Sequence, residues 1–289
     1  MFPPAVAEES FLEFLTENAR TLSVELRPPR ANTPRPQSMD DWIDIYHSVR
    51  RLTVGGSRVF ITDSAVAQHE EENLRHLIIN LGPDARRSRI VPFLTCKHSL
   101  DYCLRYAGRA YDYGFRALVV LGGDRLDGVP RCVEHAHELR REIRRRVPEM
   151  KLGGWANPHS DPVQQVNYLA RDEETADFFL TQVVSHHSAE AVARFLEQLA
   201  ARRVLIPAVF GVFYYRSGRE ETLQFLRQFF RVPADGLRAE FGVEKVQPEE
   251  VCARSIRKLR QLGVGHIYIS NLPASEAALR LKHLESATQ

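Results

Sequence analysis

The chain has 289 residues, 44% of them hydrophobic, which is enough to bury the core of one large α/β barrel or of two ordinary domains. Its 39 basic and 37 acidic residues leave a formal net charge of +2, so no overall field draws it to nucleic acid or to an anionic membrane surface. Cys96, Cys103, Cys132 and Cys252 form no CxxC pair, the N-terminus lacks a basic segment followed by an apolar one, and no apolar run approaches the roughly 20 residues that span a bilayer. A soluble, cytoplasmic protein is the expectation, with a homo-oligomer left open.

In chain order, Ala5–Arg20 has the spacing of an amphipathic opening helix whose Phe11, Phe14 and Leu15 face the core. Strand-like runs then recur at Leu22–Leu26, Arg58–Thr62, Ile90–Thr95, Ala117–Gly122, Lys151–Ala156, Phe178–Val183, Val204–Gly211 and His266–Ser270. Helical patterns lie between them at Met39–Leu52, Leu100–Tyr113, Cys132–Val147, Ala189–Ala201, Leu223–Phe230 and Pro248–Leu262. Runs such as VVL and FFL are continuously apolar, as in a parallel sheet covered by helices outside and filled by side chains inside. The alternation predicts one (β/α)8 TIM barrel domain, with residues 1–20 as an extra N-terminal helix and 21–289 as the barrel. An open doubly wound sheet is the runner-up, but it carries a Gly-rich first turn, whereas SVELRPPRANTPRP is rich in proline. Arg27–Gln37 reads as a long loop over the barrel mouth. The cluster Arg140, Arg141, Arg144, Arg145 and Arg146 reads as a solvated helix face.

Polar residues sit where the apolar runs stop: Glu25, Thr62, Asp124 and Gln182. In such a barrel all strand carboxyl ends open on one face, so these residues converge on one pocket, and an enzyme is the leading reading. Glu25, stiffened by Pro28–Pro29, suits a positioned acid; the bland alternative is a rim ion pair with Arg27 or Arg30. Asp124 follows two glycines that let a ligand approach the backbone, although Gly-Gly-Asp is also good turn chemistry. Gln182 suits an amide-like edge, or a neighbouring backbone group. His98, His159 and the pair His186–His187 fall in strand-to-helix loops, while His135 and His137 fall in a helix and point to different faces. No HxH or HExxH stands at a strand end with carboxylates at ligand spacing, so no metal is expected. Cys96 reads as a small packed residue. Phe210 and Phe213 read as core, and Tyr214 and Tyr215 as ring faces for a ligand.

Taken in order, SVELRPPR, VFITDSA, FLTC, VVLGGD, ADFFLTQ, IPAVFGVF and GVGHIYISN resemble successive segments of the methylenetetrahydrofolate reductases over nearly the whole chain. The resemblance implies an eight-stranded α/β barrel that binds FAD, takes a hydride from NADH or NADPH, and reduces 5,10-methylenetetrahydrofolate to 5-methyltetrahydrofolate. By matching motif, Glu25 looks like the family's acid, which protonates a folate nitrogen as the five-membered ring opens. Asp124 resembles an aspartate near flavin and folate, Gln182 a folate-contacting glutamine, and Thr62 a flavin-contacting threonine. Tyr215 falls where the family stacks a phenylalanine on the ligand rings. Thr95 and Gly123 lie in matched flavin-side motifs, and His159 matches a histidine on the adenine or ribose side of FAD. The chain also departs from the pattern. Phe93 replaces a flavin-associated histidine, Gly122 an arginine near the flavin, and Leu272 an arginine after the last strand. Lys97, His98, Arg125 and Arg171 are the candidates to restore positive charge for a pyrophosphate. Two other readings stand beside this one: a flavin-free NAD(P)H-dependent folate reductase, and a non-catalytic folate-binding or partner subunit.

Overall fold

Each apolar run becomes a parallel strand, because a helix-covered parallel sheet satisfies backbone that is buried on both faces. The computed structural model describes residues 10–29, 35–62, 79–81, 85–123, 128, 130–172 and 175–289. The strands are β1 Thr21–Leu26, β2 Val59–Ile61, β3 Ile90–Thr95, β4 Ala117–Leu121, β5 Lys151–Ala156, β6 Phe178–Val184, β7 Ala208–Phe213 and β8 His266–Ser270. They pair in sequence order, and β8 closes on β1 to complete the predicted (β/α)8 barrel.

Among the described residues the helices are α1 Phe11–Glu17, α2 Arg35–Val54, α3 Leu100–Asp112, α4 Ala136–Arg146, α5 Pro162–Asp172, α6 Ala189–Arg202, α7 Glu220–Arg227, α8 Ala234–Arg238, α9 Pro248–Gln261 and α10 Ala277–Ala287. A π-helical turn, Ala239–Val243, continues α8. No helix among the described residues is long and apolar enough to cross a membrane.

Two expectations are corrected. β7 begins at Ala208 rather than Val204, because Pro207 has no N–H to give; the ladder starts as its carbonyl accepts Phe179 N–H at 2.9 Å. Arg140 is not on a solvated face. It is buried, its Nε donating to Thr175 Oγ1 at 3.3 Å and its Nη1 to the Val120 carbonyl at 3.3 Å. The neighbouring Arg144 pairs with Asp177 at 2.7 Å, so this face anchors α4 to the ends of the strands.

The barrel interior is filled rather than hollow. Phe60, Val91, Phe93, Ala117, Val119, Phe178, Leu180, Val209 and Tyr268 form its cluster. Phe11 and Leu15 of α1 close that cluster from the amino ends of the strands. The Phe11 ring lies 4.7 Å from Phe178 and 5.7 Å from Phe60, edge to face, and α1 is held by a Ser10–Glu13 capping box. Two glycines make room for the largest rings. A Cβ at Gly153 would stand 2.6 Å from Phe178, and one at Gly211 would stand 2.5 Å from the Tyr268 hydroxyl. Gly211→Ala should therefore cost about 1–3 kcal/mol in urea unfolding through overpacking; a change within about 0.5 kcal/mol, typical of an uncrowded surface site, would show that this layer is not tightly packed.

Candidate active site at the barrel mouth

Glu25 is the penultimate residue of β1, in register with Phe60 of β2 and Ser270 of β8. Leu22, Val24 and Leu26 pack into the outer core, so the two-residue period of the strand turns Glu25 inward. It sits at the mouth just beyond the filled interior. Loss of water around its carboxyl raises its pKa, against the opposing pull of the Arg27 charge and of a hydrogen bond with Ser270. Tyr268, one layer down, has its hydroxyl pKa raised by burial and by the Glu25 charge, and donates to the Thr181 carbonyl at 2.7 Å. The Arg27 charge therefore tempers the effect of burial and does not cancel it.

β2, β3 and β4 deliver the next group. Thr62 and Thr95 are buried at their strand ends, and Lys97 is only 6% exposed. The Lys97 stem lies across Gly123, whose φ of +77° is left-handed; a Cβ there would meet the lysine chain at 2.7 Å. Beside it, a Cβ at Gly122 would stand 2.9 Å from the guanidinium carbon of Arg131, and that guanidinium donates to the Gly123 carbonyl. Two cationic side chains thus gather over a backbone stripped of side chains. His98 is half-buried, its ring 4.3 Å from that of Tyr102. Asp124 and Arg125 lie outside the described residues.

β5 and β6 supply the rest. His159 Nε2 faces the Val183 carbonyl at 3.0 Å, so it must carry the proton, which leaves the buried Nδ1 as an acceptor without a protein partner. Burial lowers the pKa of this ring, and Arg231 lowers it further, so the ring is held neutral. Gln182 stands at an irregularity in the β6–β7 register, its Oε1 taking the Val183 N–H at 2.9 Å. The backbone alternative for Gln182 is thus half right, and Nε2 is the end left for a ligand.

Other sequence candidates fall elsewhere. Arg171 is exposed in the last turn of α5, which leads into the amino end of β6 rather than out of a strand's carboxyl end. Tyr214 is buried, its hydroxyl accepting from Arg280 at 2.8 Å. Tyr215 is 5% exposed within a cluster of Phe213, Leu223, Val232 and Leu237. Both tyrosines pack in core clusters instead of presenting open faces. The rings of His135 and His137 stack at 5.5 Å, because His135 is the extended cap residue of α4 and not a helical one. Sequence reading missed Arg131, which no strand exit announces, and Trp155, which packs against the interior cluster from β5. It also missed Glu240, 54 residues beyond His186 and 3.1 Å from its Nε2.

The structure is a parallel eight-stranded barrel with a buried acid and two cationic side chains near the carboxyl ends of its strands, the end at which barrels of this kind build their sites. The family described as Methylenetetrahydrofolate reductase matches residues 11–279, and the chain belongs to that family. No curated protein matches the sequence. Among solved structures, the fold is similar to an uncharacterized Clostridium thermocellum protein that binds two copies of 5-methyl-5,6,7,8-tetrahydrofolic acid. That pair has a TM-score of 0.65 and 14% identity over 96% of this chain and 98% of the other. An F420-dependent secondary alcohol dehydrogenase shares the fold at a TM-score of 0.55 and 11% identity, over 93% of this chain and 99% of the other.

The buried carboxyl has a consequence for stability. Its folded-state pKa lies above the unfolded value, so Glu25 favours folding at low pH, and that contribution is lost as pH rises from about 4.3 through the raised value. Melting temperatures of wild type and Glu25→Gln should diverge in favour of the variant across that window; a constant difference, or one that narrows, would contradict the burial of the charge.

Proposed function

We propose that this chain reduces 5,10-methylenetetrahydrofolate to 5-methyltetrahydrofolate, with NADH or NADPH as the hydride source, FAD as the carrier and Glu25 as the acid. The observation that carries the reading is Glu25 itself: a carboxyl turned inward at the mouth of a barrel of this family, its pKa raised by burial. The folate-binding neighbour of the same fold supports a folate ligand.

The residues present fit a flavin dinucleotide. Lys97 and Arg131 suit its pyrophosphate, and the guanidinium of Arg131 fills the space over Gly122, where the family has an arginine. The neutral His159, with an unpartnered buried Nδ1, suits a ribose or ribityl hydroxyl as donor rather than a phosphate. Thr62 and Thr95 would line the ring side, with Asp124 and Arg125 following the Gly122–Gly123 turn. When bound, FAD supplies the hydride relay between nicotinamide and folate.

The chain's own groups do the rest. Glu25 delivers its proton to the folate nitrogen whose bond to the bridging carbon breaks, leaving an iminium carbon that accepts the hydride. Ser270 and Arg27 then steady the carboxylate that remains. Gln182 Nε2 donates to the pterin edge, its orientation fixed by the Val183 N–H on Oε1. Trp155, whose ring packs on the interior cluster, offers an apolar wall that keeps water from the reacting carbon.

A second reading rests on Phe93. Its ring packs into the barrel interior, 6.2 Å from Phe60, where the family has a flavin-associated histidine, and this favours direct hydride transfer from nicotinamide to folate. One experiment separates the two. The chain is incubated with FAD, freed of unbound cofactor, then mixed anaerobically with NADH or NADPH and afterwards with 5,10-methylenetetrahydrofolate. Bleaching of a retained flavin spectrum by nicotinamide, and its recovery on adding folate, is the expected result. Glu25→Gln should leave the bleaching intact and slow the recovery about 10²–10⁴-fold. Folate turnover by a colourless protein would transfer the assignment to direct hydride transfer, and folate binding without turnover would overturn both.

A further inference from the structure

Two adjacent histidines leave the end of β6 and meet a glutamate from the segment that follows β7. His186 Nε2 lies 3.1 Å from Glu240 Oε1 and His187 Nε2 lies 3.0 Å from Glu240 Oε2, and the donor atoms of all three lie within 4.8 Å of one another. The two imidazole centroids are 3.9 Å apart. Glu240 is 3% exposed, and it belongs to the π-helical turn, a rare conformation that concentrates at functional sites.

The surroundings are built for this convergence. A Cβ at Gly236 in α8 would stand 2.3 Å from His187 Cε1, so the ring reaches the carboxylate only because that helix position has no side chain. Glycine within a helix costs about 0.5–1 kcal/mol relative to alanine, a cost accepted here for the approach of His187. His186 Nδ1 lies 2.9 Å from Ser255 Oγ, and Arg254 Nη1 holds Glu240 Oε1 at 2.9 Å. Each ligand type therefore has an outer partner that fixes its orientation, as metal-binding imidazoles and carboxylates do.

The proton count points the same way. The Ser255 hydroxyl has one proton and can give it to the Val251 carbonyl, 3.3 Å away, one helical turn back. In the tautomer in which His186 Nδ1–H donates to that Oγ, His186 Nε2 is a lone pair facing a carboxylate oxygen at 3.1 Å. Two acceptors in that position need a cation between them. Bonds of about 2.0–2.1 Å to zinc separate tetrahedral ligands by about 3.3 Å, a few tenths of an ångström from the two histidine–carboxylate distances.

We propose that His186, His187 and Glu240 bind a divalent transition-metal ion of the zinc class, with the fourth position left to water, and that the ion ties the segment between β7 and α9 to the barrel rim. Two imidazoles and one carboxylate favour zinc over magnesium or calcium, which prefer all-oxygen sites. The segment so tied carries α7, α8 and the π turn, and the histidines follow directly on the strand that carries Gln182.

The test uses the full, untagged chain, stripped with a chelator and titrated with zinc chloride by calorimetry, with thermal melts in parallel. The expected result is one saturable site per chain and a melting temperature that rises with zinc. His187→Ala and Glu240→Gln should each weaken binding by about a hundredfold or more. Ser255→Ala should weaken it by about tenfold, through loss of the bond that orients His186. If Glu240→Gln fails to fold by circular dichroism, His187→Ala decides the matter, because it removes a ligand while Glu240 keeps its pair with Arg254. Absence of a saturable site in the wild type, or unchanged affinity in His187→Ala, would overturn the proposal.

Discussion

The site depends on the filling of the barrel beneath it. A carboxyl at the mouth of an open tube would be hydrated and ionised like any surface glutamate. Here Phe11, Phe60, Phe178 and Tyr268 occupy the interior below Glu25, and Gly153 and Gly211 give way so that two of those rings fit. With no water column under it, the carboxyl pays the cost of desolvation in its charged form, and its pKa rises. Packing at the amino ends of the strands thereby sets the proton affinity of a group near their carboxyl ends. The short helix α1 contributes to that shift indirectly, since it closes the interior from the far side.

Polar work is divided around the rim by charge type. The β3 and β4 exits gather cations over glycine backbone, while the β5 and β6 exits present a neutral histidine acceptor and an amide donor. A long ligand with an anionic centre and hydroxyl-bearing flanks matches that division better than a compact anion does. The departures from the family pattern follow the same logic. Where the resemblance puts an arginine, the chain has Gly122, and the Arg131 guanidinium lies over that glycine. Phe93, in contrast, is absorbed into the interior cluster, so the chemistry of the histidine that it replaces is lost to packing.

The fold was legible because its signal is repeated. Eight apolar runs alternate with helical patterns, and seven of the predicted strands begin within one residue of their observed starts and end within one of their observed ends, as with Ile90–Thr95 and His266–Ser270. β7 was misread at its start because Pro207 looks like part of an apolar run until its missing N–H is considered. The positions of Glu25 and Gln182 near the carboxyl ends of β1 and β6 were legible because each closes an apolar run. Asp124, the other strand-exit acid, lies outside the described residues. Tyr215 was misjudged because a strand exit reports exposure only when no later segment folds over it; here α7 and α8 cover the ring. Arg131, Trp155 and Glu240 were missed because their partners are set by tertiary approach and not by spacing. Arg140 was misread for the opposite reason, since a run of arginines signals surface while the buried Val120 carbonyl and Thr175 hydroxyl needed a donor.

The account rests on a protonated Glu25 acting as the acid in folate reduction. The most direct check is the pH dependence of a single turnover, with electron donor preloaded and 5,10-methylenetetrahydrofolate added last. The account predicts a rate that is highest at low pH and falls with a one-proton inflection above the ordinary glutamate value of about 4.3. A rate that rises with pH through that region, as a carboxylate base would produce, would contradict it.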